Sequence, residues 1–312
     1  MNKLFVSLAS VLLALGCTSS ISDTAPDVSP EDPAGNGLPV FEAGFESMPT
    51  RTYVDGDMHL HWTGDDLLSI FFKNTSNLQY RFAGKTGDVS GSFKAVDGST
   101  PTGDALETNY AVYPYSATTS IIEDGVITLT LPAVEAYGEN SFGVDANTMV
   151  AVTKSPSSFF LPFKNVCGYL TFKFYGIGTV SSIALSGNDG EKIAGEATVT
   201  AEYGEAPSLS LHEETATGMV TLDCGEGVTL GKTSETATVF WFVIPQVTFS
   251  KGFSVTVTDI NGASATFKTT KERVIQRSSV SRMAGLAIDF STTPPTFDSN
   301  GIDALEEDEF EW

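Results

Sequence analysis

Basic residues are scarce in this sequence: 17 Lys and Arg stand against 39 Asp and Glu, a formal net charge of −22. Such a balance repels nucleic acid and anionic headgroups and keeps an exported chain soluble. A nucleic-acid partner is therefore not expected. Histidine is rarer still, at three residues. His59 and His61 alternate, so on a strand they share a face that a metal would need, but no third ligand accompanies them. His212 stands far along the chain, and a polar solvent face accounts for the pair. Gly-x-Ser-x-Gly, His-Glu-x-x-His and a phosphate loop are all missing, and neither Cys167 nor Cys224 has a histidine near it in sequence. These are the signatures that would mark a hydrolase, a zinc peptidase or a nucleotide site. No catalytic residue, metal site or cofactor is expected. Carboxylates are numerous enough for a glycosidase pair, yet none is singled out, and the adjacent Asp65 and Asp66 favour a local bend.

Helical periodicity is also lacking. Charged residues make up 18% of the chain, Thr, Ser, Val, Phe and Gly are plentiful, and no long segment repeats its apolar residues at helical spacing. That composition predicts an all-β protein. At 312 residues there is length for two domains, each with its own core.

The first sixteen residues read as a targeting segment outside the fold: Lys3, then the apolar Leu4 to Leu15, then Gly16 just ahead of Cys17. The apolar run is shorter than the roughly 20 residues of a spanning helix. The segment resembles a bacterial lipoprotein signal, in which Cys17 becomes the acylated N-terminus. Ala14 stands where a leucine is usual and Leu15 where a small residue is usual, and an ordinary secretory signal with an incidental cysteine is the alternative. Loss of Lys3 with the leader takes the charge from −22 to −23. Residues 17–37 are rich in Ser, Asp, Pro and Gly and read as a flexible tether.

Strand patterns follow. Leu38 to Phe45 is a candidate first strand, with Met48 to Arg51 as an exposed link, and Asp57 to Trp62 alternates Met58, Leu60 and Trp62 against the two histidines. Leu67 to Phe72, Gln79 to Phe82, Gly91 to Val96, Asn109 to Tyr115, Val126 to Pro132 and Thr148 to Thr153 read as further strands. Ala133 to Val144 reads as an irregular connection.

The stretch Phe159 to Phe174 reads as a join between two lobes, 38–163 and 164–290. Pro162 suits an edge or a strand end, and after the Asn165 to Gly168 break, Leu170, Phe172 and Phe174 alternate with Thr171 and Lys173. Beyond it come Val180 to Ser186, Ile193 to Ala201, Ser208 to Leu211, Met219 to Leu222, the apolar Val239 to Ile244, and Phe253 to Asp259. Asn261-Gly262 predicts a type I′ hairpin into Ala263 to Thr269. Ala284 to Phe290 is the last strand candidate. Residues 291–312 read as an acidic tail, either disordered or ordered on docking with a partner. Cys167 and Cys224 either pair or remain buried thiols. Most of the 21 Phe, 9 Tyr and 3 Trp must fill cores, with Tyr113, Tyr115, Tyr137 and Trp312 as the candidates for partial exposure.

Several of these features together resemble the fimbrillin family of Bacteroidetes, pilus subunits whose precursors travel as lipoproteins. The residues that carry the resemblance are the Cys17 signal, Arg51-Thr52 ahead of His59 to Asp66, Tyr110 to Tyr115, Val126 to Pro132, and Phe163 to Phe174. The resemblance implies two tandem transthyretin-like β-sandwich domains, an outer-membrane or fimbrial location, and assembly with other fimbrial subunits by strand exchange. It also implies that a trypsin-like protease removes the N-terminal segment with its first strand, which makes Arg51 the candidate cut site. A surface arginine at a strand start is the plain alternative. The donor strand would come from the C-terminal end, with Ala284 to Phe290 either donor or last core strand. A monomeric surface lipoprotein that binds glycan through exposed aromatics, and a glycoside hydrolase, are the competing readings.

Overall fold

The structure, a computed structural model, describes residues 37–45, 60–96, 101–298 and 302–303. Cys17, Arg51, His59 and Trp312, the leader and the tether up to residue 36 lie outside the described residues. What is described is all-β, as the composition predicts; among these residues the helical content is one 3-10 turn, Ser234–Thr236.

Eleven strands precede the join: β1 (Phe41–Phe45), β2 (Leu67–Phe71), β3 (Leu78–Phe82), β4 (Gly91–Ala95), β5 (Tyr110–Tyr113), β6 (Ser120–Glu123), β7 (Val126–Leu131), β8 (Val134–Gly138), β9 (Ser141–Phe142), β10 (Met149–Val152) and β11 (Phe160–Asn165). After it come β12 (Cys167–Ile177), β13 (Thr179–Gly187), β14 (Gly195–Thr200), β15 (Ser208–Leu211), β16 (Met219–Thr229), β17 (Thr238–Pro245), β18 (Val247–Phe249), β19 (Phe253–Asp259), β20 (Ser264–Lys268), β21 (Arg273–Ile275), β22 (Val280–Arg282), β23 (Leu286–Asp289) and β24 (Thr296–Phe297).

Seven strands close into a barrel in the order β1-β11-β10-β5-β2-β3-β4. The sheet β15-β14-β7-β6 lies over it, which is why Met149, Val150, Ala151 and Val152 are all buried: β10 has the barrel interior on one face and this sheet on the other. A second core fills the space between β17-β12-β23-β24 and β20-β19-β13-β16-β8-β9, where Phe172 meets Phe253 and Phe174 meets Phe267 at ring distances of 5.7 and 5.4 Å. Strands from before and after the join pair with each other, β7 with β14 antiparallel and β8 with β16 parallel. Such long-range pairings leave no periodic mark in the sequence.

The join itself serves both cores. Tyr169 belongs to the first apolar cluster, whereas Leu170, Phe172 and Phe174 belong to the second, as their alternation predicts. Gly168 is required by close approach, since an added Cβ would stand 2.1 Å from the Gln276 carbonyl oxygen. Around the join runs a buried polar chain. Tyr169 donates to Asn147 Oδ1 (3.0 Å), Asn147 to Asn165 Oδ1 (3.1 Å), and Asn165 to Ser278 Oγ (2.9 Å). Each link satisfies a group that would otherwise be costly to bury.

Several expectations are corrected. Pro162 lies inside β11, which is paired on both sides; the β10 ladder spans only Met149↔Asn165 and Val150↔Lys164 and stops short of the proline, so no ladder donor is lost there. Ala133 to Val144 is not irregular but holds β8 and β9, which gain their regularity by pairing with β16 and with each other. The Asn261-Gly262 loop is not type I′: only Gly262 has a positive φ (83°), and the Asp259 carboxylate accepts from Asn261 N and Ala263 N (3.0 and 2.8 Å). That is a three-residue loop with a glycine bulge. In the expected strand ending at Trp62, Leu60 forms a lone bridge and 61–63 have no strand structure. Part of the expected tail packs on the second core, with β24 beside β23 and Ile302 only 3% exposed.

Candidate functional site

The site that the fold singles out is the slot held by β1. This strand pairs antiparallel with β4 through Phe41↔Phe93, Glu42↔Ser92 and Ala43↔Gly91, and parallel with β11 through Glu42↔Phe160 to Phe45↔Phe163. Five residues therefore close the barrel, and without them β4 and β11 would each present an unpaired edge.

Period-two geometry decides what β1 contributes. Phe41 and Ala43 point inward and are 0% and 1% exposed, with Phe45 half-buried beside them. Phe41 packs edge-on against Tyr80 (5.5 Å), Phe159 (5.7 Å) and Phe72 (6.0 Å). Phe45 stacks on Trp62 at 4.6 Å. Glu42 turns the other way, accepting from Ser92 Oγ at 2.7 Å, while its N–H donates to the Phe159 carbonyl at 2.9 Å.

Trp62 is the centre of this core. It is fully buried, and Phe93, Phe163, Tyr113 and Phe82 surround it at 4.9, 5.6, 5.7 and 5.9 Å. Among the described residues its indole N–H has no acceptor. The turn after it is fixed by Asp66, which accepts from Thr63 N (2.7 Å), Thr63 Oγ1 (2.6 Å) and Tyr113 OH (3.2 Å). Burial pushes the Asp66 carboxyl above its ordinary value and the Tyr113 hydroxyl well above its own; for Asp66 the Thr63 hydrogen bonds pull the other way. Asp66 thus makes the bend that its sequence suggested, and Tyr113, expected to be partly exposed, is buried in the barrel. Tyr115 and Tyr137 are half-buried.

The remaining candidates serve structure. His61 Nδ1 lies 2.5 Å from the Gly87 carbonyl, and His212 Nε2 lies 2.8 Å from Thr198 Oγ1. Among the described residues no three His, Cys, Asp or Glu side chains are grouped to hold a metal. Cys167 and Cys224 are free, buried thiols. A cleft beside Pro162 and Lys164 encloses about 10 Å³, about one water's room, and Lys164 Nζ closes it by donating to the Gly204 and Glu205 carbonyls (2.8 and 2.9 Å). Sequence reading placed a first strand at Leu38 to Phe45 but missed the ring set around it. The signal was there, in aromatics at alternate positions 41 and 45 and at Trp62, but their convergence needs the closed barrel.

No family model matches the sequence, and no curated protein matches it. Among solved structures, similarity is found at low identity. A putative cell adhesion protein from Bacteroides ovatus is 13% identical, with 82% of this chain and 94% of that one covered and a TM-score of 0.46. One from Bacteroides uniformis is 17% identical, with 86% and 97% covered and a TM-score of 0.42. The tip fimbrial protein Mfa3 from Porphyromonas gingivalis is 8% identical, with 83% and 97% covered and a TM-score of 0.30.

Proposed function

We propose that this chain is a structural and adhesive fimbrial subunit, exported as a lipoprotein through Cys17 and assembled with other fimbrial subunits by exchange of the β1 strand. The observation that supports it is the closure of the barrel by one five-residue strand, β1, whose inward side chains sit in an aromatic core. A strand held in this way is replaceable by another of the same pattern, because backbone hydrogen bonds supply affinity and alternate side chains supply fit. Arg51 follows Phe45 by six residues in sequence, so a cut there would free β1 together with the lipidated segment. The reading takes 38–163 and 164–290 as two β units, the first closed as a barrel where a sandwich was expected, linked by the pairing of β7 with β14 and of β8 with β16.

Mass spectrometry of the mature protein from cells tests it. A chain starting at Thr52, with heat-sensitive multimers, is the expected result, and Arg51→Ala should leave the acylated precursor uncut and unassembled. A persistent monomer starting at acylated Cys17 would overturn assembly by β1 exchange. Trp62 gives a second readout, because loss of the stacked Phe45 ring alters its emission.

A further inference from the structure

A strand that fills a slot is read by the side chains it turns inward, and β1 turns in two rings with a small residue between them, Phe41, Ala43 and Phe45. Phe45 stacks on the Trp62 indole with 27° between the planes, whereas Phe93, Phe163 and Tyr113 meet that indole edge-on. A strand without a planar ring at position 45 would leave the indole face uncovered. Ala43 stands opposite Gly91 on β4 and Leu161 on β11. It is 1% exposed, and the Phe82 ring already fills the space at Gly91, where an added Cβ would stand 2.8 Å from Phe82 Cε2. A larger side chain at 43 would therefore overpack the barrel. On the outer face a Cβ at Gly44 would stand 3.3 Å from Phe160 Cζ, so that position also takes a small residue. These contacts fix register as well as fit, since a slip of two residues puts a ring where Ala43 sits.

This pattern occurs once in the chain. Three pairs of aromatic residues stand four apart, Phe41 with Phe45, Phe159 with Phe163 and Phe249 with Phe253, and the residues midway are Ala43, Leu161 and Lys251. Only β1 has a small residue midway, and a cut at Arg51 would remove β1 from every mature copy. The expected donor, Ala284 to Phe290, carries a single ring, at its end. It is also committed elsewhere: β23 pairs with β12 on one side and β24 on the other, and Leu286 and Ile288 are 1% and 2% exposed in the second core. We propose, on the footing of the β1 exchange described above, that the slot takes a strand from a different protein, with a ring, a small residue and a ring at alternate positions, rather than a strand from a second copy of this chain. The slot is thereby selective against the chain's own strands, because those that could reach it present Leu, Ile or Lys where Ala43 fits.

The test uses the full chain with a site-specific protease sequence placed after Thr50, cut so that the β1 segment is held by contacts alone, and dye-labelled peptides read by fluorescence anisotropy. A peptide of residues 38–45 should bind the cut chain and not the uncut one. Ala43→Leu or Phe45→Leu in the peptide should weaken binding at least about tenfold, while Phe45→Tyr, which keeps the ring, should stay within about threefold. The changes are in the peptide, so the folding of the protein is untouched. Overlapping eight-residue peptides covering residues 52–312 should each bind at least about tenfold more weakly than the 38–45 peptide. No binding by the 38–45 peptide would overturn β1 exchange itself, and this partner with it. Undiminished binding by the Ala43→Leu peptide, or equal binding by any peptide from 52–312, would overturn the partner assigned here and leave β1 exchange standing.

Discussion

The barrel is a closed sheet and the second core lies between two open ones, so their margins are sealed by different means. The barrel closes with β1, a complete strand making a ladder on each side. One margin of the second core closes through a side chain: Glu135 on β8 is 2% exposed, and its carboxyl oxygens accept from the Val243 N–H of β17 at 3.2 and 3.3 Å. The other margin is covered by residues late in the chain, with Phe297 against Phe267 at 4.9 Å and Ile302 buried in the same apolar cluster as Phe267. Ladder closure depends on pattern alone, so a different strand of the same pattern can replace it. Closure by one buried carboxyl depends on one residue and leaves a donor stranded if that residue changes. The margin that rests on strand pairing on both sides is therefore the barrel's.

The largest expected effect is on the barrel. Phe41→Ala removes a ring that is 0% exposed and touches three others, and should cost about 3–5 kcal/mol. Phe297→Ala, at 42% exposure, should cost about 1 kcal/mol or less. Urea unfolding followed by tryptophan emission measures both, and equal losses would break the comparison.

Next comes Glu135. Glu135→Ala leaves the Val243 N–H buried without an acceptor, a cost of about 1–3 kcal/mol before any cavity is counted. Glu135→Gln keeps an acceptor and sharpens the point through pH. Burial holds the Glu135 carboxyl well above its ordinary 4.5, with the Val243 N–H pulling weakly the other way. The folded state therefore binds a proton that the unfolded chain has already lost, so this group's contribution is complete below about pH 4.5 and falls as pH rises toward the folded value. Over that window wild type should lose up to about 1.4 kcal/mol per pH unit relative to Glu135→Gln. Urea midpoints of the two proteins at successive pH values test it; parallel curves would remove the carboxyl from this margin.

Much of the architecture was legible because it is local. β2, β15 and β19 follow from runs whose alternation or apolar content is plain in the sequence, and the split of β12 into Leu170, Phe172 and Phe174 against Lys173 follows from period two. What was missed depends on partners distant in sequence. β8 and β9 look irregular until β16 arrives, Pro162 looks terminal until the short β10 ladder shows where its missing donor falls, and Asn261-Gly262 needed the Asp259 side chain to choose its turn. The candidate site was half legible. Leu38 to Phe45 was recognisable as a strand, but its role as the closing stave rests on pairing with β11, more than a hundred residues away.

The smallest effect asks whether the two closures open independently. Cys167 lies in the first apolar cluster and Cys224 in the second, both as free thiols. Burial raises both thiols, Cys224 to about 12 with Asp223 adding to it, so neither is ionised in the folded protein at neutral pH and alkylation must wait for local opening. Loosening the barrel with Phe41→Ala should speed alkylation of Cys167 by about tenfold while changing Cys224 by less than about twofold, if local opening is confined to the first cluster. Peptide mapping after a short alkylation pulse separates the two rates. A common acceleration would mean that the cores open as one unit, coupled through β7 and β8 where they cross into β14 and β16. Release of β1 would then be limited by the stability of the whole chain rather than by the five residues that close the barrel.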